Sequence, residues 1–262
     1  MKVEVVHDSF DTYLARPEIS RGRIVRELEL SSKAAELGEQ EATDAMKLGS
    51  AAHCAVLEPD RFSQQYNFFK GRRAGKEWEA FKADYEFPDK ILTLAEYAYC
   101  HELGAAMRKS RKFQVAIKGC DFETSIYWDG LKARLDASRK GVIVDLKTTR
   151  DISDDGIERA LNLSNMVQIP HYLEAKAAAE GSPIDWTKIE SFDGCPAFIF
   201  AFVSKTLPIE DRLVEVPFEP VKQAAIMRHH AIQQIRDNRK RGIFPSYPNR
   251  VETFSPKPYI FK

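Results

Sequence analysis

The chain has 262 residues, of which 44% are hydrophobic, which is enough for one large domain, or one domain with appendages, around a sizeable core. Its 39 Lys and Arg balance 39 Asp and Glu, and a formal charge of zero argues against a protein that coats nucleic acid nonspecifically, although an acidic outer face can offset a basic channel. No run of about eighteen apolar residues is present to span a membrane. The opening residues, Met1 to Asp8, lack the apolar region of a secretion signal, so the cytoplasm is the expected location. The cysteines Cys54, Cys100, Cys120 and Cys195 form no C-x-x-C pair. That argues against zinc or an iron–sulfur cluster and for free, reduced thiols.

In chain order, a helix is predicted from about Ile19 to Leu37 with Ser20 as its N-cap. A second runs from Glu39 to Leu57, carries His53 near its end, and stops at Glu58-Pro59. A basic segment follows, Lys70-Gly71-Arg72-Arg73 with Lys76, and then a helical stretch from Trp78 to Tyr85. Thr93 and Glu96 form a capping-box pattern at the head of a helix ending at Ser110. Further basic clusters lie at Arg108 to Lys112 and at Arg236 to Arg241.

Three strands are predicted between Phe122 and Lys147, turning at Asp129-Gly130 and across Ala137 to Gly141. A polar stretch, Thr148 to Asp155, precedes a helix from about Gly156 to Glu180. On it Gln168 and Tyr172 share a face, with Pro170 expected to kink the helix between them. Ala197 to Val203 is wholly apolar, as expected of a central strand, with Arg212 to Val216 as its partner. Phe218-Glu219-Pro220 leads into a helix from Val221 to Arg241. From Gly242 the chain has no periodicity and carries Pro245, Pro248 and Pro256, which predicts an irregular arm packed on a neighbouring subunit. No internal repeat or low-complexity tract interrupts this order.

The chemistry concentrates in Lys132 to Arg150. On the strand Val142 to Lys147, Asp145 and Lys147 are two apart and project to the same side. Charges at the end of an apolar strand require partners. Asp136 closes the preceding strand, so the hairpin brings it toward Asp145, and the strand before that adds Glu123. Carboxylates gathered in this way suit a hard divalent cation, which neutralises a phosphodiester and lowers the pKa of a water. A lysine beside them can orient that water. The bland alternative for Asp145 and Lys147 is a solvated pair at a strand end, since D-x-K occurs often by chance.

Four sequence elements in order raise the functional reading above the bland one: Gly49-Ser50-Ala51-Ala52-His53, Ala133-Arg134-Leu135-Asp136, Asp145-Leu146-Lys147-Thr148 and Gln168-Ile169-Pro170-His171-Tyr172. Together they resemble the RecB-like branch of the PD-(D/E)xK nuclease superfamily. Leu48 to Phe62, Gly75-Lys76-Glu77-Trp78 and the start near Pro17 to Ser20 are similar to the RecE (exonuclease VIII) and lambda-exonuclease type of phage exonuclease. The likeness covers roughly Ser20 to Tyr172.

The resemblance implies an α/β fold with a restriction-endonuclease-like core, a mixed central sheet flanked by helices, and a helical N-terminal portion. It implies one nuclease domain over 1–262, divided into a helical portion (1–115), a catalytic core (116–241) and an arm (242–262). Asp136, Asp145, Lys147 and Glu123 would be catalytic, and His53, Asp136, Asp145 and the Leu146 carbonyl would hold Mg2+, with Mn2+ tolerated. Gln168, Tyr172 and Thr148 would contact DNA, joined by Arg72, Arg73 and Lys76 through phosphate. The implied activity is 5′→3′ processive degradation of linear duplex DNA by a trimeric or tetrameric ring. It would act at duplex ends with a single-strand annealing protein, in a bacterial host or from a prophage. A site-specific endonuclease on the same core and a catalytically silent DNA-binding subunit remain open alternatives. His171 receives no role.

Overall fold

The computed structural model describes residues 2–38 and 43–251. Its elements are β1 (Val3–Val6), α1 (Phe10–Ala15), β2 (Ile19–Ser20), α2 (Arg21–Glu29), α3 (Ser32–Leu37), α4 (Asp44–Leu57), α5 (Pro59–Gln65), β3 (Asn67–Phe69), α6 (Lys76–Asp84), β4 (Ile91–Thr93), α7 (Leu94–Lys109) and α8 (Arg111–Ile117). They continue with β5 (Asp121–Trp128), β6 (Leu131–Arg139), β7 (Val142–Thr149), α9 (Asp154–Ala160), α10 (Leu163–Ala179), β8 (Ala197–Ser204), β9 (Asp211–Val214) and α11 (Phe218–Arg241).

The main sheet runs β1-β5-β6-β7-β8-β9, with β2 added alongside β6. β5, β6 and β7 form the expected antiparallel meander, and β8 joins β7 in parallel, so the sheet is mixed. A crossover through α9 and α10 makes that parallel step possible. Helices cover both faces. α2, α10 and α11 pack on one, against Ile126, Leu135, Ile143, Phe198, Phe200 and Phe202. α4, α7 and α8 pack on the other, against Val144, Leu146, Ala201 and Val203. β8 is therefore buried on both sides, which explains its unbroken apolar run, although it lies next to the edge strand β9 rather than mid-sheet.

Several helix boundaries differ from expectation, each for a local reason. Ser20 does cap a helix, its side chain accepting from the Arg23 amide. Leu30 then leaves helical geometry and Ser31 caps a new helix, so the single helix expected to Leu37 is two. The helix expected from Gly156 is likewise divided, because Asn162 caps α10 by accepting from Asn165 N–H. Pro170 sits inside α10 without ending it. α11 starts at Phe218 and holds Pro220 in its first turn, where no helical partner for its nitrogen is needed. Beyond Gly242 the expected irregular chain is seen to 251, and the Pro245 carbonyl accepts from Lys33 N–H of the same chain. Pro256 and the helix start at Glu39 lie outside the described residues.

Two features fix α7 against α4. At Gly104 on α7 a Cβ would stand 2.5 Å from the Ala55 carbonyl oxygen, so the two helices meet backbone to backbone, just beyond His53. The capping box at Thr93 and Glu96 secures the start of α7.

Candidate metal centre

The sheet changes character at Asp136. Leu131, Ala133 and Leu135 face one core and Ala137 the other, so the side-chain alternation of β6 reverses there. The β5–β6 ladder pairs Thr124 with Leu135 and Phe122 with Ala137 but skips the position between, where Glu123 has φ 51. The β6–β7 ladder spans only Ala137↔Val144 to Arg139↔Val142. Past it the strands part, and Leu146 N–H donates to Asp136 Oδ2 at 2.8 Å rather than to a β6 carbonyl. The opening exposes polar groups in mid-sheet without leaving them unpaired.

Into this opening α4 brings His53, whose Nδ1 lies 3.4 Å from Asp136 Oδ2. His53, Glu123 and Asp136 each offer a ligand atom within 4.8 Å of the others. Asp145 is adjacent but differently engaged. Its Oδ1 accepts from Gln168 Nε2 and its Oδ2 pairs with Lys147 Nζ, while the residue is only 1% exposed. Lys147 Nζ also lies 5.6 Å from the centre of the Phe200 ring, which holds the ammonium over an apolar surface.

The electrostatics are those of a site built for positive charge. Burial, and then the charge of Asp145, push the Asp136 carboxyl up to about 7, against the opposing pull of Lys147 and the Leu146 amide. Burial and Asp136 likewise raise Glu123. Burial, with Lys147 next, lowers His53, so the imidazole is neutral and has a lone pair to donate. Without a cation the cluster is costly; with one, the desolvation and like-charge terms are offset together. Two carboxylates and one imidazole suit a divalent ion of the magnesium–manganese type, and the donor set therefore fits the cofactor expected of it.

The remaining predicted residues fall into three groups. Gln168 and Tyr172 are buried against the site, 2% and 9% exposed, and burial raises the Tyr172 phenol well above its ordinary value. In this placement Gln168 orients Asp145, and its Oε1 is buried without a partner. Thr148 is half-buried on β7, and the Leu146 backbone meets the site through its N–H, which donates to Asp136. Arg72, Arg73 and Lys76 are exposed around the start of α6, where Arg73 pairs with Glu96 at 2.8 Å.

Residues that sequence reasoning missed include Arg134, which donates to Glu123, and Asp8, which accepts from Arg134. Arg21, the first residue of α2, places its charge near Asp136 and Tyr172. The position of Arg134 two residues before Asp136 was the one available signal. His171 proves to be structural. Its Nδ1 accepts from Arg228 Nε and its Nε2 meets the Lys132 carbonyl, both at 2.9 Å.

A family model described as a PDDEXK-like domain of unknown function (DUF3799) matches residues 25–256. No curated protein matches the chain. Among solved structures, a "Putative exonuclease" from Eubacterium rectale is similar in fold, with a TM-score of 0.62 at 15% sequence identity over 98% of this chain and 98% of that chain. At that identity the likeness speaks to the fold. No helix among the described residues is long and apolar enough to cross a membrane.

Proposed function

Because this chain belongs to the PDDEXK-like DUF3799 family, we propose that it is a divalent-metal-dependent deoxyribonuclease acting on the ends of linear duplex DNA. The observation that carries this reading is the convergence of His53, Glu123 and Asp136 within 4.8 Å, beside the Asp145–Lys147 pair, where the sheet opens. The name of the Eubacterium rectale neighbour supports the exonuclease class. The elements shared with RecE-type enzymes support 5′→3′ processive digestion that leaves 3′ single strands for an annealing partner. They support a trimeric or tetrameric ring and Mg2+ as the ion.

His53, Glu123 and Asp136 would hold the ion, with Asp145 able to join by exchanging its bond to Lys147. The bound ion supplies Lewis acidity toward the phosphate and lowers the pKa of a water. Lys147, paired with Asp145 at rest, then has the task of directing the attacking water by charge. Gln168 fixes the orientation of Asp145 from behind. Arg21, and across the surface Arg72 and Lys76, provide positive charge for a phosphate backbone.

The test is digestion of linear and closed-circular duplex DNA with Mg2+, with and without chelator, for wild type and Lys147→Ala. Loss of linear DNA alone, reduced about a hundredfold or more by the substitution, is the expected result. Cutting of closed circles would favour the endonuclease alternative. No cleavage of either would leave a DNA-binding subunit.

A further inference from the structure

Asp8 is far from the metal centre in sequence, two residues past the end of β1, yet it is wired to it. β1 pairs antiparallel with β5, Val6 opposite Ser125. That register brings Asp8 to the strand that carries Glu123. The link is Arg134, a side chain 9% exposed. Its Nε donates to Glu123 Oε2 at 2.9 Å. Its Nη1 donates to Asp8 Oδ1 at 3.1 Å, to the Asp8 carbonyl at 2.9 Å and to Ser125 Oγ at 3.0 Å. Asp8 is itself fixed, Oδ1 accepting from Ser125 Oγ at 2.6 Å and Oδ2 from Tyr127 O–H at 2.5 Å.

We propose that Asp8 and Arg134 are positioning residues of the metal centre, through which the N-terminal segment holds Glu123 toward Asp136 and His53. The inference rests on the metal-site reading above. Glu123 sits in the left-handed region, which a non-glycine residue occupies only when its surroundings hold it there, and the Arg134 contact is what holds its side chain. Charge acts in the same direction. An arginine facing Glu123 alone would compete with a cation for that carboxylate. With Asp8 against the same guanidinium, Arg134 is neutralised from behind, and Glu123 keeps one oxygen fixed and the other free to donate. Outer partners of this kind orient ligands and typically change metal affinity about 10–100-fold when removed. A purely structural role, tying β1 to the sheet, would change stability and leave the affinity of the folded protein alone.

The experiment is Mn2+ binding to the folded protein by calorimetry, with the melting temperature in chelator measured alongside. The proteins are wild type, Asp136→Asn, Asp8→Asn and Arg134→Lys. Arg134→Lys keeps the charge but lacks the fork that spans both carboxylates, and it carries the test if Asp8→Asn does not fold. Wild type should bind and Asp136→Asn should not. Asp8→Asn and Arg134→Lys should each bind about tenfold or more weakly while still melting cooperatively. Affinities within twofold of wild type in both variants would overturn the positioning role while leaving the metal site intact. Absence of wild-type binding, or wild-type affinity in Asp136→Asn, would overturn the metal-site reading itself and this inference with it.

Discussion

Asp136→Asn should stabilise the protein in the absence of metal and lose most of that advantage in its presence. Asp136 is a carboxyl moved from an ordinary 3.8 to about 7 by burial and the neighbouring Asp145. At about 1.4 kcal/mol per pH unit, ionising it in the folded state costs up to about 4 kcal/mol. The sign follows from proton linkage. A carboxyl whose folded pKa is raised binds more protons folded than unfolded between those two values, so folding loses stability as pH rises through the window and the full penalty is present above 7. Asparagine keeps an oxygen for Leu146 N–H, so the substitution removes the penalty with little loss of hydrogen bonding. At pH 8 in chelator the variant should therefore melt above wild type by about 8 °C, at about 2 °C per kcal/mol for a chain of this size. At pH 5 the gain should fall below about 2 kcal/mol. Mg2+ at about a hundred times its Kd should narrow the gap to about 1 kcal/mol, since it stabilises wild type by about 2.7 kcal/mol and the variant not at all. Scanning calorimetry at both pH values, with and without metal, reads all of this. A variant that melts at or below wild type at pH 8 in chelator would refute the account of Asp136 as a desolvated acid held at a cost for a cation.

Gly104→Ala should lower stability by about 1–3 kcal/mol, because its Cβ would press on the Ala55 carbonyl from 2.5 Å. It should also weaken Mn2+ binding by displacing His53; thermal melts and metal titration of the same sample check both, and unchanged affinity would show that α4 absorbs the shift. Arg228→Met should cost about 3–5 kcal/mol in a denaturant titration, since it strands Glu174 and leaves His171 Nδ1 without its donor deep in the core. A loss below about 1 kcal/mol would mean that the pair contributes little beyond its own desolvation.

What could be read from the chain without its fold was whatever has a short-range cause. The meander Asp121 to Thr149 declares itself by period-two alternation and two turns, and Asp145 and Lys147 share a side because strand geometry requires it. The capping box at Thr93 depends on four consecutive residues, and the fold class follows from the order of apolar segments. The family likeness, resting on residues such as His53 and Asp136, pointed to the region where the centre forms.

Local pattern does not decide which donors meet. Strict alternation would keep Asp136 in step with the rest of β6. Its reversal there, with Glu123 at φ 51, accompanies one skipped step in the β5–β6 ladder and the departure of β7 from β6, around a half-buried carboxylate. That rearrangement sets Glu123 beside Asp136 and His53, while Asp145 is taken up by Gln168 and Lys147. Arg134 could be read only as one charge within a strand until β1 returned from the chain's start to place Asp8 against it. His171 and Arg228, far apart in sequence, show the same thing. A buried polar group takes its partner from whatever the packed helices bring within about 3 Å, and tertiary structure alone determines that distance.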